Sequence, residues 1–171
     1  NSVLDLGCGE GASLHHMNAP AGTVGLDLFE GKVAFARRAL PHCRFVAGSA
    51  TELPFDSESF DHLLVRDVIH HIETPAQLID ECARVLERGG RIDVLEPCRY
   101  NPLIFMHAVT KPEERGELRS TPKFLERLLA SRFQVEFVRR YQAFPVHRLV
   151  FHPDVGNPAL ARRPAVRSRL A

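Results

Sequence analysis

An α/β fold built on a doubly wound, mostly parallel sheet is predicted by three observations. The chain opens on Ser2-Val3-Leu4-Asp5-Leu6, a short apolar run broken by one acid and followed by glycine at positions 7, 9 and 11. A buried parallel strand reads this way when it ends at a site that needs a carboxylate. Strand-length apolar stretches then alternate with helical-period segments as far as Glu96, the pattern of a doubly wound sheet. At 171 residues the chain fits one domain, and a chain near this size buries roughly 70% of its unfolded surface.

Composition excludes several classes. The formal net charge is +1 with a quarter of the residues charged, so no global charge points to nucleic acid or to an acidic disordered chain. Cys8, Cys43, Cys82 and Cys98 lie far apart without a C-x-x-C pair, which fits neither a zinc module nor a small disulfide scaffold and suits a reducing cytoplasm. No apolar run approaches the roughly 20 residues of a membrane span, and the N-terminus lacks the charged-then-apolar order of a signal peptide. The chain begins at Asn1 without methionine, directly on the expected central strand, so it is expected to be a fragment or a domain cut from a longer protein.

Glycines 7, 9 and 11 let a loop turn sharply and bring backbone N–H groups to contact distance of a ligand. Dinucleotide enzymes place a similar turn here with the spacing G-x-G-x-x-G, whose last position falls on Ala12. That position also accepts alanine, so spacing alone leaves both codes open. Glu10 to Asn18 allows only a short helix before Pro20 and Gly22. The second strand, Thr23 to Asp27, ends in a carboxylate about 20 residues after the first glycine, where such folds bind ribose hydroxyls. A carboxylate accepts from both hydroxyls and cannot donate when ionised.

Lys32 to Leu40 forms a helix with one apolar face, ended by Pro41, and Cys43 to Ala47 is the third strand. Phe60 to Val65 is the fourth, after the polar loop 56–59. Arg66-Asp67-Val68-Ile69-His70-His71-Ile72 follows at the C-terminal strand edge, where ligands of open α/β sheets sit. His70 and His71 admit three readings. Adjacent residues on a helix point about 100° apart and spacing supplies no third ligand, so a metal site is weak. A histidine could act as general base, or the pair could pack and cap the turn.

Thr74-Pro75 opens the next helix, Leu78, Ile79, Cys82, Ala83, Val85 and Leu86 form its buried face, and Gly89-Gly90 is expected to stop it. Arg91 to Glu96 is the fifth strand. The pattern loosens from Pro97 to Ser120. Thr121-Pro122 then caps a helix striped by Phe124, Leu125, Leu128 and Leu129, and Phe133, Val135 and Phe137 alternate as a strand, with a last one at Phe144 to Phe151. The tail, residues 152–171, carries Arg162, Arg163, Arg167 and Arg169 with no acid after Asp154. Such tails are mostly solvated and frayed; contact with an anionic lipid surface or polyanionic partner is the minority reading.

The string Val3-Leu4-Asp5-Leu6-Gly7-Cys8-Gly9-Glu10-Gly11 closely resembles the first motif of class I S-adenosyl-L-methionine (SAM)-dependent methyltransferases. Gly48-Ser49-Ala50-Thr51-Glu52-Leu53-Pro54-Phe55 resembles that family's adenine loop, and Ser59-Phe60-Asp61 and the Gly89-Gly90-Arg91 lead into the fifth strand also match. The resemblance covers Ser2 to about Phe151, taken as one domain over 1–151. It implies a Rossmann-like, seven-stranded sheet, mostly parallel with an antiparallel last strand. It also implies SAM contacts from Asp5, Gly7, Cys8, Gly9, Gly11, Asp27, Leu28, Ser49, Ala50, Thr51 and Arg66: the loop around the methionine end, Asp5 ordering its amino group, Asp27 on the ribose, and the Ala50 backbone at the adenine ring. Ser49 stands where the family usually has an acid, which weakens the adenine contact or makes it water-bridged.

Nucleobase and amide N-methyltransferases usually carry Asn/Asp-Pro-Pro-Tyr after the fourth strand. This chain instead has His70-His71, as in many small-molecule enzymes of the ubiquinone and menaquinone biosynthesis type. The resemblance therefore implies a small-molecule acceptor and no nucleic acid. The segment after the fifth strand builds the acceptor pocket in that family, so Arg99, Tyr100, Phe105, Met106 and His107 are expected to border it. Relatives usually have one or two helices before the first strand, and this chain lacks them. A non-catalytic SAM-fold module and, less so, a nicotinamide-dependent oxidoreductase are the rival readings.

Overall fold

The alternation of strands and helices holds through five strands. A computed structural model describes residues 2–140. In it β1 (Val3–Leu6), α1 (Ala12–His16), β2 (Val24–Asp27), α2 (Glu30–Ala39), β3 (Arg44–Ala47) and β4 (Phe60–Arg66) lead to α3 (Pro75–Val85), β5 (Leu86–Leu95), α4 (Pro102–Thr110) and α5 (Pro122–Leu129). Two 3₁₀ segments, Ile69–His71 and Pro112–Arg119, flank α3 and α4 in the chain. The strands lie in the order β3-β2-β1-β4-β5, and every pairing is parallel. The chain winds outward from β1 through β2 to β3, then returns to β4 on the other side of β1. That reversal makes the C-terminal ends of β1 and β4 the crevice where such sheets bind ligands.

Strand alternation sorts the core into two faces. Leu4, Leu6, Leu26, Leu63 and Val65 meet Leu78, Cys82 and Val85 of α3, with Phe124 and Leu125 of α5 against them. On the other face Phe45 and Cys8 meet Leu14 of α1 and Val33 and Ala36 of α2. Gly25 explains how this second layer closes. It pairs with Phe45 across β2 and β3, and a Cβ there would lie 2.6 Å from the Phe45 ring and 2.9 Å from Cys8 Sγ.

Two expectations change, and the described residues hold five of the seven expected strands. Phe133 packs against the core, but residues 134–140 take no regular structure and Phe137 is 61% exposed, because alternation without a neighbouring strand secures no ladder. The expected antiparallel last strand, Phe144 to Phe151, and the basic tail lie outside the described residues. Gly89-Gly90 does not stop α3. The helix ends at Val85 and Leu86 enters β5 at once, pairing with Phe60. The glycines sit in a register irregularity between Phe60 and His62, where a Cβ on Gly90 would lie 2.9 Å from the Asp61 carbonyl. Among the described residues no helix is long and apolar enough to cross a membrane.

Candidate functional site

The glycine loop is stitched to β2. Gly7 and Cys8 N–H both donate to the Leu26 carbonyl, at 2.8 and 3.0 Å, and Gly11 N–H donates to the Cys8 carbonyl at 2.9 Å. Gly9 N–H donates to Asp27 Oδ2 at 2.9 Å. The N–H groups that the sequence assigned to a ligand therefore bind protein instead. What the loop offers is a bare surface: Gly9 has φ +55° and nothing within 4 Å of where its Cβ would be. Gly7 has the opposite role, since a Cβ there would strike the Val68 side chain. Cys8 is buried, and burial together with the charges of Asp5 and Asp27 pushes its thiol up to about 12.

Two acids define the crevice. Asp5 is 2% exposed, and its Oδ2 has no hydrogen-bond partner. Burial pushes its carboxyl from 3.8 up to about 6, against the pull of the Arg66 guanidinium at the end of β4 and with a smaller push from Asp27. Asp27 ends β2, with Gly9 N–H on Oδ2 and Phe29 N–H on Oδ1 at 3.0 Å. Each oxygen keeps a further lone pair for a hydroxyl. Leu28 and Phe29 stand exposed beside it. At the end of β3, Ser49 Oγ accepts the Thr51 N–H at 3.2 Å and lies 2.8 Å from Thr51 Oγ1, so this hydroxyl is engaged in its own turn. Ala50 is half-buried against the core.

The turn after β4 hangs on Glu96, which sequence reasoning left without a role. Asp67 takes a left-handed φ of +54°, and the chain then enters the Ile69–His71 turn. Glu96 Oε1 accepts Val68 and Ile69 N–H at 2.7 and 2.8 Å, and Oε2 accepts His70 N–H at 3.4 Å and lies 2.7 Å from His70 Nδ1. The His70 and Glu96 side chains are 2% and 0% exposed. Burial alone would lower the His70 imidazole; the Glu96 hydrogen bond and the charges of Glu96, Glu117 and Glu114 outweigh it, and the net direction is up. His71 is exposed, and partial burial and the His70 charge hold it down.

A fold-level crevice, an orphaned carboxylate oxygen and a strand-end acid with spare acceptor capacity now stand together, and the model of a methyltransferase domain matches residues 4–93, more than half of the chain. The chain belongs to the SAM-dependent methyltransferase family. Demethylmenaquinone methyltransferase of Clavibacter sepedonicus is 38% identical over 98 residues, covering 55% of this chain and 40% of its own length. Phthiotriol/phenolphthiotriol dimycocerosates methyltransferase of Mycobacterium tuberculosis is 38% identical over 93 residues, covering 52% and 34%. The YcgJ protein from Bacillus subtilis superposes with a TM-score of 0.65 at 25% identity, over 77% of this chain and 60% of that one. The [4+2]-cyclase SpnF gives 0.51 at 27% identity, over 54% and 37%. This chain therefore spans 34–40% of the length of those two curated relatives.

The cofactor of this family, SAM, carries an ammonium, ribose hydroxyls and an adenine. The residues present suit it: a buried carboxylate oxygen without a partner answers a cation, and Asp27 retains lone pairs for hydroxyls. A dinucleotide pyrophosphate is served poorly, because four loop N–H groups are already bonded. In the segment expected to border an acceptor, Tyr100, Phe105 and Met106 are exposed, at 58%, 44% and 57%. His107 instead turns toward Glu117, its Nδ1 3.4 Å from Oε2, and Arg99 donates to the Leu118 carbonyl. Glu114 and Glu117, both given no role by the sequence, come to the same corner. Gly116 brings them there: a Cβ at this position would collide with the His70 backbone carbonyl.

Proposed function

We propose that this domain binds SAM across the C-terminal ends of β1, β2 and β3 and directs its methyl to a small apolar acceptor of quinone- or lipid-like character. The observation that carries the reading is Asp5 Oδ2, a buried carboxylate oxygen with no partner, beside the Asp27 strand end. In this reading Asp5 holds the ammonium, and Gly7, Cys8, Gly9 and Gly11 form the floor under the methionine end. Arg66 borders that end while offsetting the Asp5 charge. Asp27 accepts the ribose hydroxyls, Leu28 flanks them, and Ser49, Ala50 and Thr51 border the adenine. SAM supplies an electrophilic methyl, so the chain's own work is alignment and exclusion of water.

The acceptor class rests on two supports. Demethylmenaquinone and phthiotriol methyltransferases are among the relatives, and exposed Leu95 at the end of β5, with Tyr100, Phe105, Met106 and Val109 after it, offers an apolar border. Of the expected catalytic histidines, His70 is enclosed and positions the turn, whereas His71 presents an open imidazole that can receive the proton an acceptor loses.

The test is calorimetric titration with S-adenosylhomocysteine, NADH and NADPH, with Asp27→Ala as control. Binding of S-adenosylhomocysteine alone, lost in the variant, is expected; binding of a nicotinamide alone overturns the reading. Transfer of labelled methyl from SAM to a demethylated naphthoquinol then distinguishes an enzyme from a binding module. A second reading, SAM-fold chemistry without methyl transfer, is favoured by the likeness to the [4+2]-cyclase and by Ser49 being engaged in its own turn. It predicts S-adenosylhomocysteine binding with no methyl transfer.

A further inference from the structure

The Ile69–His71 turn and the Pro112–Arg119 segment meet around three side chains of metal-ligating type. His70, His71 and Glu114 each offer a ligand atom, and these atoms all lie within 4.8 Å of one another. Adjacent residues of this single 3₁₀ turn diverge by about 120° at the backbone, but the two side chains bend toward each other. The two imidazole rings converge, with centroids 3.9 Å apart and planes tilted by 44°.

We propose that His70, His71 and Glu114 form a site for a divalent transition metal of the zinc class, with Glu96 as the carboxylate that orients His70. Three features carry this. First, His70 Nδ1 is engaged by Glu96 at 2.7 Å, which leaves Nε2 as the free lone pair; ligating histidines are oriented by a carboxylate on their other nitrogen in this way. Second, His70 Nε2 lies 3.6 Å from Glu114 Oε2. That is beyond hydrogen-bonding distance, yet close to the roughly 3.3 Å edge of a tetrahedron with metal–ligand bonds of about 2.0 Å. Third, the His70 side chain is 2% exposed, so an imidazole nitrogen aimed at a carboxylate without bonding it is held there by the fold.

Two imidazoles and one carboxylate suit zinc, cobalt or iron better than magnesium or calcium, which prefer oxygen ligands. Three protein ligands leave a fourth position open, and the exposed side of His71 sets that position toward solvent. A bound metal would tie the strand-end turn to the segment after α4. His71 would then be a ligand, and its role as proton acceptor would be confined to the metal-free protein. The inference stands apart from SAM binding, which uses none of the three ligands.

The experiment uses the full chain with His15 and His16 replaced by alanine, since these exposed neighbouring rings are an adventitious site. After chelation and dialysis the protein is titrated calorimetrically with Zn²⁺, and Co²⁺ is added to a second sample to record its absorption spectrum. One equivalent of saturable Zn²⁺ binding and a tetrahedral Co²⁺ spectrum are expected. His71→Ala, at an exposed position, and Glu114→Gln should each weaken binding by at least the ~10–100-fold of an outer-shell loss. Glu96→Gln should weaken it within that range. No saturable binding, or binding unchanged in His71→Ala and Glu114→Gln, overturns the proposal and leaves a plain histidine–carboxylate cluster. S-adenosylhomocysteine titration of the same variants reports folding independently.

Discussion

Replacing Asp5 by asparagine should stabilise the ligand-free protein at neutral pH while weakening cofactor binding. Asp5 titrates near 6 in the folded protein against an ordinary 3.8, chiefly because burial disfavours its charged form. Each pH unit of displacement corresponds to about 1.4 kcal/mol, so the ionised carboxylate costs about 3 kcal/mol above pH 6. Between those values the folded state holds more protons than the unfolded one. The contribution is fully present below 3.8 and is lost as pH rises through about 6. Asparagine removes the charge but brings an amide whose buried end inherits the partnerless position, at a cost of about 1–3 kcal/mol. Urea unfolding of both proteins from pH 4 to pH 8 isolates the effect as a difference between them. The wild type should lose ground to Asp5→Asn steadily between pH 4 and 6, ending less stable by up to about 2 kcal/mol. Affinity for S-adenosylhomocysteine should fall by roughly 10–100-fold, the worth of a hydrogen bond to a charged group. A pH-independent difference, or one of the opposite sign, would refute the assignment of Asp5 as an uncompensated buried acid.

Gly9→Ala should fold with a loss of only about 1–2 kcal/mol, the strain of a left-handed alanine, because its Cβ meets nothing; yet calorimetry should find S-adenosylhomocysteine binding abolished. Gly7→Ala should instead destabilise the fold more than Gly9→Ala, since its Cβ strikes Val68, and thermal melting separates the two. Glu96→Gln keeps one oxygen for the Val68 and Ile69 N–H groups but loses the acceptor facing His70, so unfolding should cost about 1–3 kcal/mol less by urea titration. Thiol titration of the native protein should find Cys98 reactive while Cys8 and Cys82, buried and pushed up to about 12, react only after unfolding.

What the sequence made legible is what lies close in sequence. The apolar run, the three glycines and Asp27 can be read in order because strand, loop and strand end are contiguous, and the structure brings them to one crevice. Where the loop's N–H groups go was not legible: the Leu26 carbonyl that accepts from Gly7 and Cys8 and the Asp27 carboxylate that accepts from Gly9 sit on a neighbouring strand, and only the register of β1 with β2 puts them in reach. Glu96 carried a signal like that of Asp27, an acid at the end of a strand of the parallel sheet, and could have been found by that logic. Glu114 could not. Within Lys111-Pro112-Glu113-Glu114-Arg115-Gly116-Glu117 every charge reads as solvated, and the one clue is Gly116, whose missing Cβ admits the His70 backbone. The strand expected over Phe133, Val135 and Phe137 failed for a related reason, since alternation describes a strand's faces but not its neighbour.

Three acids at strand ends or within strands, Asp5, Asp27 and Glu96, surround the crevice, and each is held differently. Glu96 is satisfied by three backbone N–H groups and an imidazole, so a ligand has little to add there and the residue works as a structural anchor. Asp27 is half satisfied, with one backbone donor on each oxygen, which fixes its plane while leaving acceptor capacity for neutral hydroxyls. Asp5 alone keeps a buried oxygen without a donor, with its proton affinity raised accordingly. A ligand carrying both a cation and hydroxyls thus has one orientation that relieves the Asp5 penalty, and that orientation puts its cationic end at β1 and its hydroxyls at β2. Binding energy gained at Asp5 includes the penalty already present in the free protein, so affinity should rise with pH through about 6 as the carboxyl ionises. The same titrations repeated at pH 5 and pH 8 should show this rise in the wild type and its absence in Asp5→Asn; equal pH dependence in both would remove Asp5 from the binding site.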